Sequence, residues 1–160
     1  MQEDREPKLP VTQISAGARE PFIGVWRLIA HRHVSAGGEV KFPYGDSPIG
    51  RLTYDRAGRM SAQLMRPGRR CSLPPGVPFT VGNASDEELR EAASGFTAYY
   101  GTYDIEEASR KVIHHVQACL IPSWVGSDVT RNFRFEANRL ILGAGLSGAT
   151  FELIWEREPD

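Results

Sequence analysis

The feature that most constrains the fold is a pair of motifs near the two ends of the chain. Gly24-Val25-Trp26 opens a strand-like run, and Trp155-Glu156-Arg157 stands close to the C-terminus. A Gly-x-Trp opening strand and an arginine on the closing strand are typical of a small up-and-down β-barrel that is sealed at one end. In such a barrel the indole fills the floor, and the guanidinium lies over it in a cation–π contact. A closed barrel of about eight strands has room for one small ligand.

The segments between these motifs predict an all-β fold with about eight antiparallel strands. Residues 24–34 alternate in character, with Trp26 and Leu28 on an apolar face and His31 and His33 on the opposite face. The hairpin over residues 49–65 and the later runs continue the pattern, and no crossover helices alternate with the strands. This arrangement excludes a parallel α/β fold and favours an up-and-down barrel.

Turn and cap signals mark the connections between the predicted elements. Asp55 and Gly58 occupy the first and last positions of a four-residue segment that fits a type I turn between two strands. Residues 66–82 are rich in proline and glycine and predict a long loop. Ser85, followed three residues later by Glu88, forms a capping-box pattern and predicts one short helix.

Composition and the chain ends limit the class of protein. The chain has 160 residues and a formal net charge of −1, which suits one domain and gives no reason to expect nucleic acid as a partner. Residues 1–20 predict a flexible leader, and residues 21–158 the barrel domain. The sequence has no secretory signal, membrane span or disulfide framework, so we expect a cytoplasmic protein. It leaves open whether the chain forms a homodimer.

Several motifs recur in order along residues 22–157: Gly24-Val25-Trp26-Arg27-Leu28, Tyr44-Gly45, Gly50-Arg51-Leu52-Thr53-Tyr54, Met60-Ser61-Ala62-Gln63-Leu64, His114-His115-Val116, Leu120-Ile121-Pro122-Ser123-Trp124-Val125-Gly126 and Trp155-Glu156-Arg157. Together they resemble the lipocalin-like domain family of bacteria and fungi. The resemblance implies a calycin-type barrel with an internal cavity. Some barrels similar to this family act in natural-product pathways as isomerases or cyclases.

The strand over residues 112–121 carries the first candidate for chemistry. The face with Val112 and His114 is the more apolar one, so we expect His114 to point inward, where it could act as a general acid or base. The alternative is a histidine that is simply hydrogen-bonded to a neighbouring strand. His115 and Gln117 lie on the other face, and a register shift of one residue would exchange the two sets.

Further polar candidates lie on the hairpin. Ser61 and Gln63 alternate with Ala62 and Leu64, and either face could line the cavity. If Ser61 and Gln63 point inward, their hydroxyl and amide could orient a ligand carbonyl. Tyr54 could bring a phenol inward, or it could be a core tyrosine with its hydroxyl at the rim.

Arg131 is the candidate for binding a negative charge. It alternates with Val129 and Phe133, and an arginine on an inward face needs a partner because an unpaired buried charge is costly. That partner could be a ligand carboxylate or enolate, or a structural acid such as Asp104. Aromatic residues in or beside loops are predicted to rim the barrel mouth: Tyr44, Tyr99, Tyr100 and Trp124.

No motif in the sequence indicates a metal or a cofactor. His31 and His33 have the spacing of a β-sheet metal pair but lack an obvious third ligand, and no phosphate loop, dinucleotide fingerprint or nucleophile elbow is present. We therefore expect a cavity that binds a small hydrophobic molecule. By family analogy the role is that of a cofactor-free isomerase or cyclase of a polyketide- or terpenoid-like intermediate, using His114, Tyr54 and Arg131. The alternative is a non-catalytic carrier.

Overall fold

The computed structural model describes residues 17–80, 82–146 and 148–159. Within them the chain forms nine strands and one α-helix, followed here in chain order: β1 (Gly24–Val34), β2 (Val40–Lys41), β3 (Ile49–Tyr54), β4 (Arg59–Met65), α1 (Asp86–Ser94), β5 (Phe96–Glu106), β6 (Lys111–Cys119), β7 (Asp128–Glu136), β8 (Arg139–Leu146) and β9 (Ala149–Arg157). A short 3₁₀ turn, Pro122–Trp124, lies between β6 and β7.

All neighbouring strands are antiparallel, and the sheet closes on itself. Strand β1 pairs with β3 on one side and with β9 on the other, and strands β3 to β9 pair in sequence order. The two-residue strand β2 adds to the far end of β1 outside this ring. The predicted all-β, eight-stranded up-and-down barrel with one short helix is therefore confirmed, with β2 as an additional strand.

The barrel floor is built as the terminal motifs predict. Trp26 is 1% exposed, and its indole N–H donates to the carbonyl oxygen of Phe22 at 2.8 Å. The Arg157 guanidinium carbon lies 4.1 Å from the centre of the indole ring, and the same guanidinium donates to the carbonyl oxygen of Ile23. Gly24 has a φ of +134°, and a Cβ there would lie 2.7 Å from Arg157 Nη1. Glycine at this position thus allows the arginine to cover the tryptophan.

A β-bulge in β1 changes which residues face the interior. The residues on either side of Ile29 pair with consecutive residues of β9, so Ile29 is an extra residue without a partner. The extra residue reverses the alternation, and His31 and His33 join the inward face that begins with Trp26. The sequence prediction that placed these histidines on the opposite face from Trp26 is wrong for this reason.

The predicted leader, residues 1–20, falls partly outside the described residues, which begin at 17. Residues 17–22 form turns that pack on the barrel: Ala18 is buried, and Arg19 Nη2 lies 2.7 Å from Asp104 Oδ1. Packed structure therefore starts before residue 21, where the domain was predicted to begin. Within the described part of the chain, no helix has the length and apolar character needed to cross a membrane.

Candidate functional site

A mainly apolar cavity of about 220 Å³ lies inside the barrel. Its apolar wall comes from inward-facing positions on β3, β4, β8 and β9: Leu52, Ala62, Leu64, Leu142, Leu153 and Trp155. Trp124 and Phe151 add aromatic rings. Since an apolar cavity of about 150 Å³ in another protein takes up benzene, this one has room for a substituted aromatic ring.

Six side chains with an imidazole, hydroxyl or guanidinium group interrupt this wall: His31, His33, Tyr44, Thr97, Tyr99 and Arg131. The hydroxyls of Tyr44 and Thr97 lie 2.7 Å apart and satisfy each other. Four of the residues that sequence analysis nominated therefore meet at one cavity: Tyr44, Tyr99, Trp124 and Arg131.

The other nominated ligand contacts lie elsewhere. Ser61 and Gln63 alternate with the buried Ala62 on β4, so they point away from the cavity. His115 and Gln117 are likewise on the outward face of β6. None of these four lines the cavity. The expectation that they contact an enclosed ligand needs correcting, because the inward face of each strand is the apolar one.

Three buried side chains form a hydrogen-bonded chain behind the cavity wall. His114 is 0% exposed, and its two ring nitrogens lie 2.7 Å (Nε2) from the Tyr54 hydroxyl and 3.0 Å (Nδ1) from the Tyr99 hydroxyl. Tyr99 lines the cavity, whereas His114 and Tyr54 do not. The three residues come from β6, β3 and β5 and are brought together by barrel closure.

Burial sets the ionisation state of this chain. Desolvation, with smaller contributions from Arg131 and His115, lowers the pKa of His114 to about 3, so its imidazole is neutral near pH 7. Desolvation also raises the pKa of Tyr54 well above its ordinary value and that of Tyr99 to about 12. All three groups are thus uncharged, and His114 reaches the cavity only through Tyr99.

Arg131 carries a positive charge into the apolar cavity. Its guanidinium carbon lies 4.9 Å from the centre of the Phe151 ring and 5.9 Å from that of Trp124. Among the described residues its side chain makes one hydrogen bond, from Nη1 to the carbonyl oxygen of Thr130, and no salt bridge. Burial lowers its pKa, but a guanidinium stays protonated at neutral pH.

The structural acid suggested as a partner for Arg131 has other partners. Asp104 pairs with Arg19, and its Oδ2 lies 3.1 Å from His115 Nε2. His115 Nδ1 lies 2.6 Å from Asp128 Oδ1. Partial burial opposes protonation of His115, but the hydrogen bonds to Asp128 and Asp104 raise its pKa. This charged cluster is on the outside of the barrel, and neither of its carboxylates pairs with Arg131.

His31 is a cavity residue that the sequence pattern did not nominate as a ligand contact. It makes no hydrogen bond with the described residues, and its Nδ1 is buried without a partner. Desolvation, then the neighbouring His33, lowers the pKa of His31, so the ring is neutral near pH 7. Trp155 Nε1 on the same wall is also buried and has no hydrogen-bond partner in the described ranges. Across the described ranges, no three or more His, Cys, Asp or Glu side chains cluster as a metal site would require.

A closed antiparallel barrel with a Trp–Arg floor around an apolar cavity has the architecture of the small β-barrels that enclose a small hydrophobic ligand. A family model described as "Lipocalin-like domain" matches residues 23–158, so the chain belongs to this family and the predicted resemblance is confirmed. Over 113 residues the chain is 32% identical to a protein of Aspergillus oryzae (strain ATCC 42149 / RIB 40), named 4'-hydroxy-3'-methoxypropiophenone carrier protein ppsC. This match covers 62% of the chain and 97% of the relative.

One solved structure also resembles the chain. It is the crystal structure of a mutant of the fluorescent protein UnaG, with a TM-score of 0.41 and 15% sequence identity. The similarity covers 88% of this chain and 99% of that one.

Proposed function

We propose that the protein is a non-catalytic carrier of a small aromatic molecule, held in the barrel cavity. The observation that carries the proposal is the cavity itself, which combines an apolar wall with polar groups that have few protein partners. The fungal relative is named a carrier of a substituted propiophenone, a small aromatic ketone, and the cavity volume suits a molecule of this kind. A carrier needs nothing beyond apolar burial and a few polar anchors.

The placement of the predicted catalytic groups also favours a carrier. His114 and Tyr54 do not line the cavity, and the neutral imidazole of His114 already has a partner at each ring nitrogen. A general acid or base must come within hydrogen-bond reach of the proton that it moves. Of the three nominated catalytic residues, Arg131 alone can touch a ligand directly.

A larger side chain that fills the cavity should strongly weaken ligand binding. We expect Ala62→Trp to bind 4'-hydroxy-3'-methoxypropiophenone at least tenfold more weakly than the natural protein, because the new indole occupies the ligand space. Isothermal titration calorimetry measures the affinity, and thermal unfolding establishes that the variant is folded. Gln63→Trp adds the same side chain to the outer face of β4 and should leave the affinity unchanged. A folded Ala62→Trp protein that binds as tightly as the natural one would contradict the proposed site.

A second function, a cofactor-free isomerase or cyclase, is supported by His31 and Arg131 on one cavity wall. His31 is neutral and could accept a proton from the carbon next to a ligand carbonyl. The electron pair of the broken C–H bond would move to the carbonyl oxygen, and Arg131 would stabilise the resulting enolate. Both residues lie beside Phe151, and the ring centres of His31 and Phe151 are 6.4 Å apart.

Hydrogen exchange at that carbon separates the two functions. For a carrier we expect the α-protons of the bound propiophenone to exchange with D₂O no faster than in buffer, as followed by proton NMR. An enzyme would accelerate the exchange, and both His31→Gln and Arg131→Met would remove the acceleration. Accelerated exchange that responds to both substitutions would replace the carrier proposal by the enzyme. Gln63 is on the outer face of β4, so Gln63→Ala serves as a control for the preparation and folding of the variants.

A further inference from the structure

We infer that Tyr54, His114 and Tyr99 orient the Tyr99 hydroxyl proton into the cavity beside Arg131, and that these two donors form a binding site for a negatively charged ligand oxygen. The inference rests on the proposed binding function and deepens it by naming the chemical class of the ligand. That class is a flat, apolar molecule with an ionised acidic oxygen, either a carboxylate or an ionised enol or phenol.

The direction of the hydrogen bonds follows from burial. The Tyr54 hydroxyl is enclosed, and among the described residues its one hydrogen-bond partner is Nε2 of His114. A buried hydroxyl proton needs an acceptor, so Tyr54 donates to Nε2. A neutral imidazole carries one proton, which must then be on Nδ1, from which His114 donates to the Tyr99 oxygen 3.0 Å away.

Tyr99 is consequently left with its own proton to donate. Its hydroxyl oxygen accepts from His114, and within the described part of the chain it has no second partner. Unlike Tyr54, Tyr99 lines the cavity, and we infer that its proton is donated to a ligand atom there. The opposite arrangement would leave the enclosed Tyr54 proton without an acceptor, which costs free energy.

Arg131 provides the second donor, and it lines the same cavity as Tyr99. The Tyr99 ring and the Arg131 guanidinium both pack against Trp124. The ring centres of Tyr99 and Trp124 are 5.8 Å apart, and the guanidinium carbon of Arg131 lies 5.9 Å from the centre of the Trp124 ring. A guanidinium has five N–H groups and no acceptor, and one of those of Arg131 is used by Thr130. The site therefore offers donors and a positive charge.

The chemistry of the site selects the ligand. Among the described residues no carboxylate pairs with the positive charge of Arg131, and such a charge in an apolar cavity favours an anion over a neutral molecule of the same shape. Phe151, Trp124 and the leucines around the site suit a flat apolar body. A basic amine is disfavoured, because both groups at this site donate and one of them is positively charged.

The first experiment compares matched anionic and neutral probes by calorimetry at pH 7.5. Cinnamate is paired with cinnamamide as the carboxylate test, and the hydroxynaphthoquinone lawsone with its neutral methyl ether as the enolate test. We expect at least one anion to bind about tenfold to a hundredfold more tightly than its neutral partner. The pair that shows the preference identifies the acidic group. Equal or tighter binding of both neutral partners overturns the inference but leaves the carrier proposal intact, whereas no binding by any probe or by the propiophenone overturns both.

Variants then assign the preference to the two donors. Arg131→Met should abolish the preference for the anion, so that the anion and its neutral partner bind with similar affinity. Arg70→Met removes the same charge from an exposed loop position outside the cavity and should preserve the preference. Retention of the preference in Arg131→Met would show that long-range charge, and not this site, selects the anion.

Tyr54→Phe tests the orienting role without changing the cavity wall. Without the Tyr54 donor, the His114 proton is no longer confined to Nδ1, and in the fraction of molecules without an Nδ1 proton Tyr99 donates to Nδ1 and not to the ligand. We expect a several-fold loss of anion affinity, together with a change in the ¹⁵N shifts of His114 from those of a pure Nδ1–H imidazole toward those of a mixture of the two tautomers. An Nε2–H imidazole in the natural protein would overturn the inferred orientation, and this measurement requires no variant.

Discussion

Replacement of Trp26 by alanine should lower the free energy of unfolding by about 3–5 kcal/mol, the range measured for large aromatic side chains removed from a core. The side chain is 1% exposed and lies under the Arg157 guanidinium. Its indole N–H is the donor to the Phe22 carbonyl, so the substitution also leaves that oxygen without its partner. The emptied floor cannot collapse readily, because strands β1 and β9 are joined there.

Urea unfolding followed by circular dichroism measures this loss. Trp124→Ala is a suitable control, since it removes the same side chain from the cavity wall, where the indole is only partly buried. We expect its effect on stability to be clearly smaller. If Trp26→Ala unfolded at the same urea concentration as the natural protein, the argument that this residue seals the barrel would be wrong.

The second large effect is a loss of stability in acid that originates from His114. The pKa of His114 is about 3 in the folded protein, because of desolvation, and the ordinary histidine value in the unfolded chain is 6.5. Above pH 6.5 neither state binds the proton. As the pH falls from 6.5 toward 3, the unfolded state alone binds it, so the free energy of unfolding should decrease by about 1.4 kcal/mol per pH unit.

The measurement is a series of urea titrations between pH 7 and pH 4 on the natural protein and on His114→Gln. The difference between the two series isolates His114, because the carboxylates are common to both. NMR titration of the folded natural protein is a further check that does not depend on the variant. A His114 ring that becomes protonated near pH 6.5 without unfolding would contradict the expected behaviour.

Local features of the chain were sufficient to predict the barrel and its floor. Gly24 and Trp26 at one end and Arg157 at the other were enough to predict the cation–π contact that the structure contains. Gly58, with a φ of +81°, closes the predicted turn after Asp55. The capping box over Ser85 and Glu88 is present at the start of α1. The turn and the capping box each depend on residues that are close together in the sequence. The Trp–Arg floor is a common way of closing a small barrel.

The contents of the cavity depended on pairing between distant strands. Alternation along β1 placed His31 on the wrong face, because the bulge at Ile29 arises only when β1 pairs with β9. Similarly, the sequence could nominate His114 but could not predict that Tyr54 and Tyr99 would occupy both of its nitrogens.

Local periodicity and short motifs were therefore enough to predict the fold class, the sealed floor and the presence of a cavity. The tertiary structure decided which polar groups face that cavity and which of them have partners. Among the described residues no carboxylate pairs with Arg131, because Asp104 pairs with Arg19 on the outside of the barrel. The physical reason is that an extra residue in one strand reverses every side chain beyond it, while hydrogen-bond partners come from strands far apart in the chain.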